Sequence, residues 1–304
     1  MVGQTRTYEL DYTPPLDWAF FLQYLGARAT LGVEAVEEER YVRTFALGES
    51  RGTLSFTHHP TAALILLTIE AKVGTETQAI LARARRMFDL EIDLSSVHLV
   101  LGADPRIGPL LAASPGIRVP GAWSPFELLV RTIVGQQVTV KAATTIMGRI
   151  ASRLGEPVDP ASRGGPSFLF PTPRAVADGK LEAIGMPSRR VQTLQHVARA
   201  IADATIPFPD GDSCVVGVKE ALLSMPGIGP WTVEYFALRA LREADAWPGT
   251  DLVLRRALEP HEPGRPTTAA DHWRPFRGYA AVHLWNHAAR QSLPQTADQK
   301  KNES

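Results

Sequence analysis

The residues with the clearest chemical potential in this 304-residue chain lie in Leu223-Ser-Met-Pro-Gly-Ile-Gly-Pro-Trp-Thr-Val-Glu-Tyr-Phe-Ala-Leu238. A helix ending before Pro226-Gly227-Ile228-Gly229, and another starting near Trp231, leave a tight hairpin between them. Gly227 and Gly229 permit positive φ and allow another backbone to come close. The amides of such a hairpin, and of the helix that follows, point outward where a phosphate can sit. The same residues also suit a plain loop between two packed helices. Trp231 and Tyr235, at i and i+4, share one helix face. Twenty positions after Trp231, Pro248-Gly-Thr-Asp251 sets a carboxylate at the start of another helical run. Asp251 can N-cap that helix, but capping alone does not explain why it follows a glycine hairpin and a short helix.

Other candidates carry less. His58-His59, followed by Pro60, has no metal-ligand spacing and reads as solvated surface, as does Glu37-Glu-Glu-Arg40. Cys214 is the single cysteine, which excludes a disulfide, a cysteine-type zinc site and an iron–sulfur cluster. It reads as a small buried hydrophobe. There is no P-loop, dinucleotide fingerprint or serine elbow, so neither a metal nor a cofactor is expected.

The elements that must position these residues fall into two parts. Before about residue 112, strand and helix signals mix. Tyr8–Tyr12 alternates and stops at Pro14-Pro15, and Asp17 caps a helix over 18–30. Residues 41–47 and 53–58 form a hairpin across Gly48-Glu-Ser-Arg-Gly52, Ala63–Ile69 is a buried strand, and 76–88 is a helix. This is an α+β unit with an antiparallel sheet. Thereafter the signal is helical: one long run over 125–154 with Ser124 as N-cap, then runs at 174–183, 188–204 and 216–223, with loops at Gly164-Gly165-Pro166 and Pro171-Thr-Pro173. The expected domains are 1–112 and 113–295, with the helical hairpin near 216–241 and a polar tail over 296–304.

Composition is that of a globular protein, with 44% hydrophobic and 21% charged residues. Lys+Arg and Asp+Glu are both 32. Residues 1–112 hold 10 basic and 14 acidic side chains and the remainder 22 and 18, so an anionic ligand is sought in the second part. No apolar run reaches the ~20 residues of a membrane span, and no signal-peptide core is evident. A cytoplasmic protein is expected.

The stretch from Met225 to Arg239, with the downstream Pro-Gly-Thr-Asp251, resembles the helix-hairpin-helix/Gly-Pro-Asp DNA glycosylases, in particular the bacterial 3-methyladenine glycosylases of AlkA type. Pro14-Pro-Leu-Asp-Trp18, Gly48-Glu-Ser-Arg-Gly52, Met87-Phe-Asp-Leu90, Val134-Gly-Gln-Gln-Val138, Phe170-Pro-Thr-Pro173, Gly185-Met-Pro187 and Trp273-Arg-Pro-Phe-Arg277 extend the resemblance, in order, over about residues 8 to 290. It implies a TATA-binding-protein-like N-terminal sheet followed by an all-α helix-hairpin-helix body.

The resemblance implies a monofunctional enzyme that flips alkylated bases out of duplex DNA and excises them. Asp251 matches the catalytic carboxylate, which offsets positive charge on the sugar. Trp231, Tyr235, Trp285 and Tyr24 match the base pocket, where π faces attract a cationic base at ~1–2 kcal/mol per contact. On composition alone, core packing is the alternative for each. Pro226, Gly227, Gly229, Thr232 and Gln137 fall at DNA-binding positions. Gln137 stands where the relative has a Leu wedge, which makes it a more polar wedge. The resemblance also implies a structural monovalent cation at the hairpin, with no other cofactor, and a monomer whose partner is double-stranded DNA. Strand-cleaving members carry a Lys directly after the hairpin. Trp231 holds that place and the nearest lysine is Lys219, so no lyase activity is expected. The rival reading is a non-catalytic DNA-binding damage sensor. A sheet that itself grips DNA is disfavoured by the acidic excess of 1–112.

Overall fold

The computed structural model describes residues 4–72, 76–158, 165–209, 216–258 and 270–291. Strand β1 (Gln4–Asp11) stops ahead of the two prolines, and helix α1 (Trp18–Arg28) starts at Asp17, whose Oδ1 accepts the Phe20 amide at 2.8 Å. Strands β2 (Glu34–Glu37), β3 (Arg40–Leu47), β4 (Ser50–His59) and β5 (Leu64–Lys72) complete an antiparallel sheet of order β1-β5-β4-β3-β2. The β3–β4 hairpin turns on Gly48-Glu49, with Leu47 opposite Ser50 and Gly48 at φ 56°. Alternation buries Leu54, Phe56, Ile65, Leu67 and Ile69 against α1 and α2 (Thr77–Met87).

Glu37–Arg40, expected as a solvated face, forms the turn from edge strand β2 into β3, with Glu38 and Glu39 exposed and Arg40 Nη2 2.5 Å from Glu37 Oε2. His59 is exposed as expected, but His58 needs correction: it is not solvated surface. Its Nε2 lies 2.7 Å from the Tyr12 hydroxyl and its ring is 5.8 Å from that of Trp18, and burial lowers its pKa.

Helices α3 (Leu94–Leu101) and α4 (Gly108–Ala113) precede the helical part. The single helix expected over 125–154 is two helices, α5 (Pro125–Val134) and α6 (Val140–Leu154). Ser124 caps the first as expected, accepting from the Glu127 amide. The break comes because Gln137 adopts φ 57° and Thr139 caps the second helix through its side chain. Next come α7 (Pro173–Asp178), shorter than expected because it ends at Gly179, then α8 (Ser188–Ala202), α9 (Val218–Leu223) and α10 (Pro230–Phe236). A π-helical turn, Ala237–Leu241, leads toward α11 (Leu252–Leu258) and α12 (Arg277–Gln291). Cys214, Gly164 and the 296–304 tail lie outside the described residues.

The two hydrophobic cores do not follow chain order. One joins the sheet and α1–α4 to Trp247, Trp273, Tyr279 and other residues of 237–284. The second lies within 126–236. Buried charges tie the seam: Arg43 Nη2 donates to Glu127 at 2.7 Å, and Glu34 accepts from the Tyr41 hydroxyl and the Thr30 amide. Both partners of such a pair must stay, because removing one leaves an uncompensated buried charge. The seam packs α1 of the first unit on α6 of the second and sets Tyr24 of α1 beside Tyr235 of α10.

Candidate active site

The hairpin between α9 and α10 has the expected shape, but its two glycines serve different ends. Gly227 has φ 87°, and a Cβ there would lie 2.4 Å from Thr193 Oγ1. Only glycine fits. Gly229, expected to share that freedom, has φ −105°, and a Cβ added there would meet nothing within 4 Å. Its missing side chain leaves open space in front of α10. Among the described residues, no hydrogen bond takes up the amides of Gly227, Gly229 or Trp231. Pro226 is exposed at the tip. Thr232 requires a correction: it is 2% exposed, and its hydroxyl accepts from Gln136. Its side chain faces α5, which leaves only its main chain for a phosphate.

Asp251 is aimed by the turn before it. The Gly249 amide donates to the Trp247 carbonyl and the Asp251 amide to that of Pro248, both at 2.8 Å. A Cβ on Gly249 would strike Trp247 Nε1 at 2.6 Å, so this glycine is also obligatory. The Asp251 side chain serves both roles read from the sequence. Its Oδ1 accepts the amides of Val253 (2.9 Å) and Leu254 (3.1 Å), capping α11, and also Trp285 Nε1 at 3.1 Å. Its Oδ2 accepts Trp231 Nε1 at 3.0 Å.

The four aromatic candidates come together around this carboxylate. Trp231 and Tyr235 stack with ring centres 5.2 Å apart at 15°, and Tyr235 meets Trp285 edge-on at 5.7 Å. Tyr24, reaching over from α1, puts its hydroxyl 3.0 Å from that of Tyr235. With Asp251 they line a cavity of about 470 Å³ whose walls include Val138, Val140 and Arg28. A larger cleft of about 770 Å³ runs beside β3 and α8 and contains none of the sequence candidates.

Sequence reading missed the cations behind these rings. Arg239, 6% exposed, donates to the Pro120 and Gly121 carbonyls and, through Nη1, to the Tyr235 hydroxyl at 3.0 Å. Its guanidinium lies 5.0 Å from the Tyr24 ring centre, and that of Arg28 lies 3.9 Å from it on another approach. Burial raises the Tyr235 phenol, but the charges of Arg239 and Arg28 and the bonds from Tyr24 and Arg239 outweigh it, so the pKa falls to about 8. Burial pushes Tyr24 up to about 12 despite Arg239. The one sequence signal for Arg239 was its i+4 spacing from Tyr235.

Gln137 sits at the exposed tip of the α5–α6 turn, with Val138 and Val140 beside it. Gln136, not singled out by sequence, turns inward to the hairpin. Lys219 is held between Glu234 (3.0 Å) and Glu243 (2.9 Å). Burial lowers its pKa, but the bonds to Glu243 and Glu234 prevail and raise it, so it stays protonated. Among the described residues no group of three His, Cys, Asp or Glu could hold a metal, and no helix is long and apolar enough to cross a membrane.

Residues 7–124 match the family model of the AlkA N-terminal domain, and 130–272 that of the HhH-GPD superfamily base excision DNA repair proteins. The chain is 38% identical over 285 residues to DNA-3-methyladenine glycosylase 2 of Escherichia coli (strain K12), covering 91% of this chain and 96% of that protein. It is 32% identical over 298 residues to a probable bifunctional transcriptional activator/DNA repair enzyme AlkA of Mycobacterium tuberculosis, covering 96% of this chain and 59% of that one. The 3-methyladenine DNA-glycosylase of Archaeoglobus fulgidus shares the fold with a TM-score of 0.76 at 18% identity, over 94% of this chain and 100% of the other. The chain belongs to the helix-hairpin-helix/Gly-Pro-Asp superfamily of base excision DNA repair proteins and carries its AlkA-type N-terminal domain.

Proposed function

We propose that this protein is a monofunctional DNA glycosylase that removes alkylated bases of the 3-methyladenine and 7-methylguanine type from duplex DNA and leaves an abasic site. The observation that carries this is the Asp251 carboxylate, bonded to the indoles of Trp231 and Trp285 at the wall of an open aromatic cavity. A base alkylated at a ring nitrogen already carries positive charge, so it leaves without strong acid help. The rings of Trp231 and Trp285 hold that cation by their π faces, while Tyr235 and Tyr24, which carry Arg239 and Arg28 against their own rings, complete the wall. Asp251 then faces the sugar, where charge develops as the base departs with the bonding electron pair, and favours the transition state over the ground state; a water molecule adds to the sugar carbon and releases its proton to leave the abasic site. A pure damage sensor has no use for a carboxylate placed this way.

The hairpin at Pro226, Gly227 and Gly229 grips a phosphate through its free amides, and Gln137 fills the gap left by the flipped nucleotide. A structural monovalent cation at this hairpin belongs to the same reading. Such an ion would brace the turn against the phosphate. Among the described residues, Lys219 is protonated and paired, and Trp231 rather than a lysine stands directly after the hairpin, so neither place offers an amine to attack the sugar. The test is a duplex carrying one alkylated base. Strand breaks should appear only after alkali, and borohydride should trap no protein–DNA complex. Breaks without alkali, with a trapped complex lost on changing one lysine, would overturn the monofunctional assignment.

A further inference from the structure

We propose that Gln136 is a positioning residue that couples the wedge turn to the phosphate-gripping hairpin, so that backbone docking and entry of Gln137 into the duplex act as one event. This rests on the functional reading above. Gln136 Nε2 donates to the Gly227 carbonyl at 3.2 Å and to Thr232 Oγ1 at 3.2 Å, spanning 91 and 96 residues of sequence. A carbonyl can only accept, so the amide orientation is set by the contact itself. Both hydrogens of that amide are used, one on the hairpin tip and one on the first turn of α10.

The remaining bonds of the turn are local. Gly135 donates to Arg131, Gln136 N to Ile133 and Val138 to Gly135, while Thr139 caps α6. Among the described residues, Gln136 is the one side chain of 135–139 bonded to the hairpin. Directly after it, Gln137 takes φ 57°, a conformation that costs a non-glycine residue energy and persists where the surroundings hold it. No hydrogen bond holds the Gln137 side chain among the described residues, so it is free to leave for the duplex. A strained, exposed tip is thus pinned one residue away to the element that binds the backbone.

The test is a double-mutant cycle on binding, with intact duplex compared with duplex containing an abasic analogue. Gln136→Met keeps the length and removes both donors. Thr232→Val keeps the shape and removes one acceptor. Each should lower the preference for abasic over intact duplex, by about tenfold for Gln136→Met with two bonds lost. The salt dependence of intact-duplex binding, which counts phosphate contacts, should stay unchanged. Combined with Gln137→Ala, Gln136→Met should add nothing further. Additive losses, or equal losses on both duplexes with a flatter salt slope, would make Gln136 a structural or phosphate residue and overturn the proposal. Should Gln136→Met not fold, Thr232→Val alone decides by the same ratio. A wild-type protein with no preference for abasic duplex would instead refute the wedge reading beneath it.

Discussion

Asp251→Asn keeps the shape of the site and removes one negative charge. Asn is as good an N-cap as Asp, so the bonds from Val253, Leu254 and Trp285 to Oδ1 survive. The amide group then replaces Oδ2 and faces the Trp231 Nε1 hydrogen, donor against donor, across 3.0 Å. Losing that bond costs about 1 kcal/mol of stability, or roughly 1–2 °C in a protein of this size. The charge matters more. A carboxylate about 4 Å from a developing sugar cation, at an effective dielectric constant of about 20, contributes about 4 kcal/mol, which is roughly a thousandfold in rate. Single-turnover excision on duplex with one 3-methyladenine, beside thermal melts, separates the two effects. A rate within tenfold of wild type at unchanged stability would refute the electrostatic role and leave Asp251 a cap.

Trp231→Ala or Trp285→Ala should slow release of cationic 7-methylguanine about tenfold more than release of neutral hypoxanthine, since a π face favours charge; uniform loss would indicate a packing role. Gly229→Ala should leave the melting temperature unchanged, because its Cβ enters open space, yet weaken duplex binding by filling the place of a phosphate. Gly227→Ala, with φ 87° and a clash on Thr193, should lose stability by at least about 1 kcal/mol. Absorbance titration should detect a tyrosinate forming at about pH 8 that vanishes in Tyr235→Phe. Because that value lies below the ordinary 10.0, ionised Tyr235 contributes stability that is full above pH 10 and lost as pH falls through about 8.

What was legible in the sequence was local chemistry. Asp17 and Ser124 cap helices because their side chains reach amides three residues on, and Gly48 turns a hairpin because it tolerates positive φ. The hairpin glycines and Asp251 also stood out by type and spacing. The α5–α6 break did not, since Gln136-Gln137-Val138 reads as helix and only Gly135 and the Thr139 cap signal otherwise. Edge strand β2, Glu-Ala-Val-Glu, carries too few apolar residues to declare itself. The pocket itself is a long-range product. Tyr24 and Tyr235 are 211 residues apart, and periodicity cannot say that the two will meet. For the same reason Arg239 could not be seen as the group that anchors the Tyr235 hydroxyl, because two of its acceptors lie at Pro120 and Gly121.

The most direct measurement of the central claim is chromatography of the bases that the protein releases from methylated duplex DNA. Free 3-methyladenine and 7-methylguanine should accumulate with the strand intact, and unmodified adenine and guanine should stay bound. No release of methylated bases at stoichiometric protein, with duplex binding intact, would contradict the account and leave a DNA-binding protein whose pocket serves another purpose.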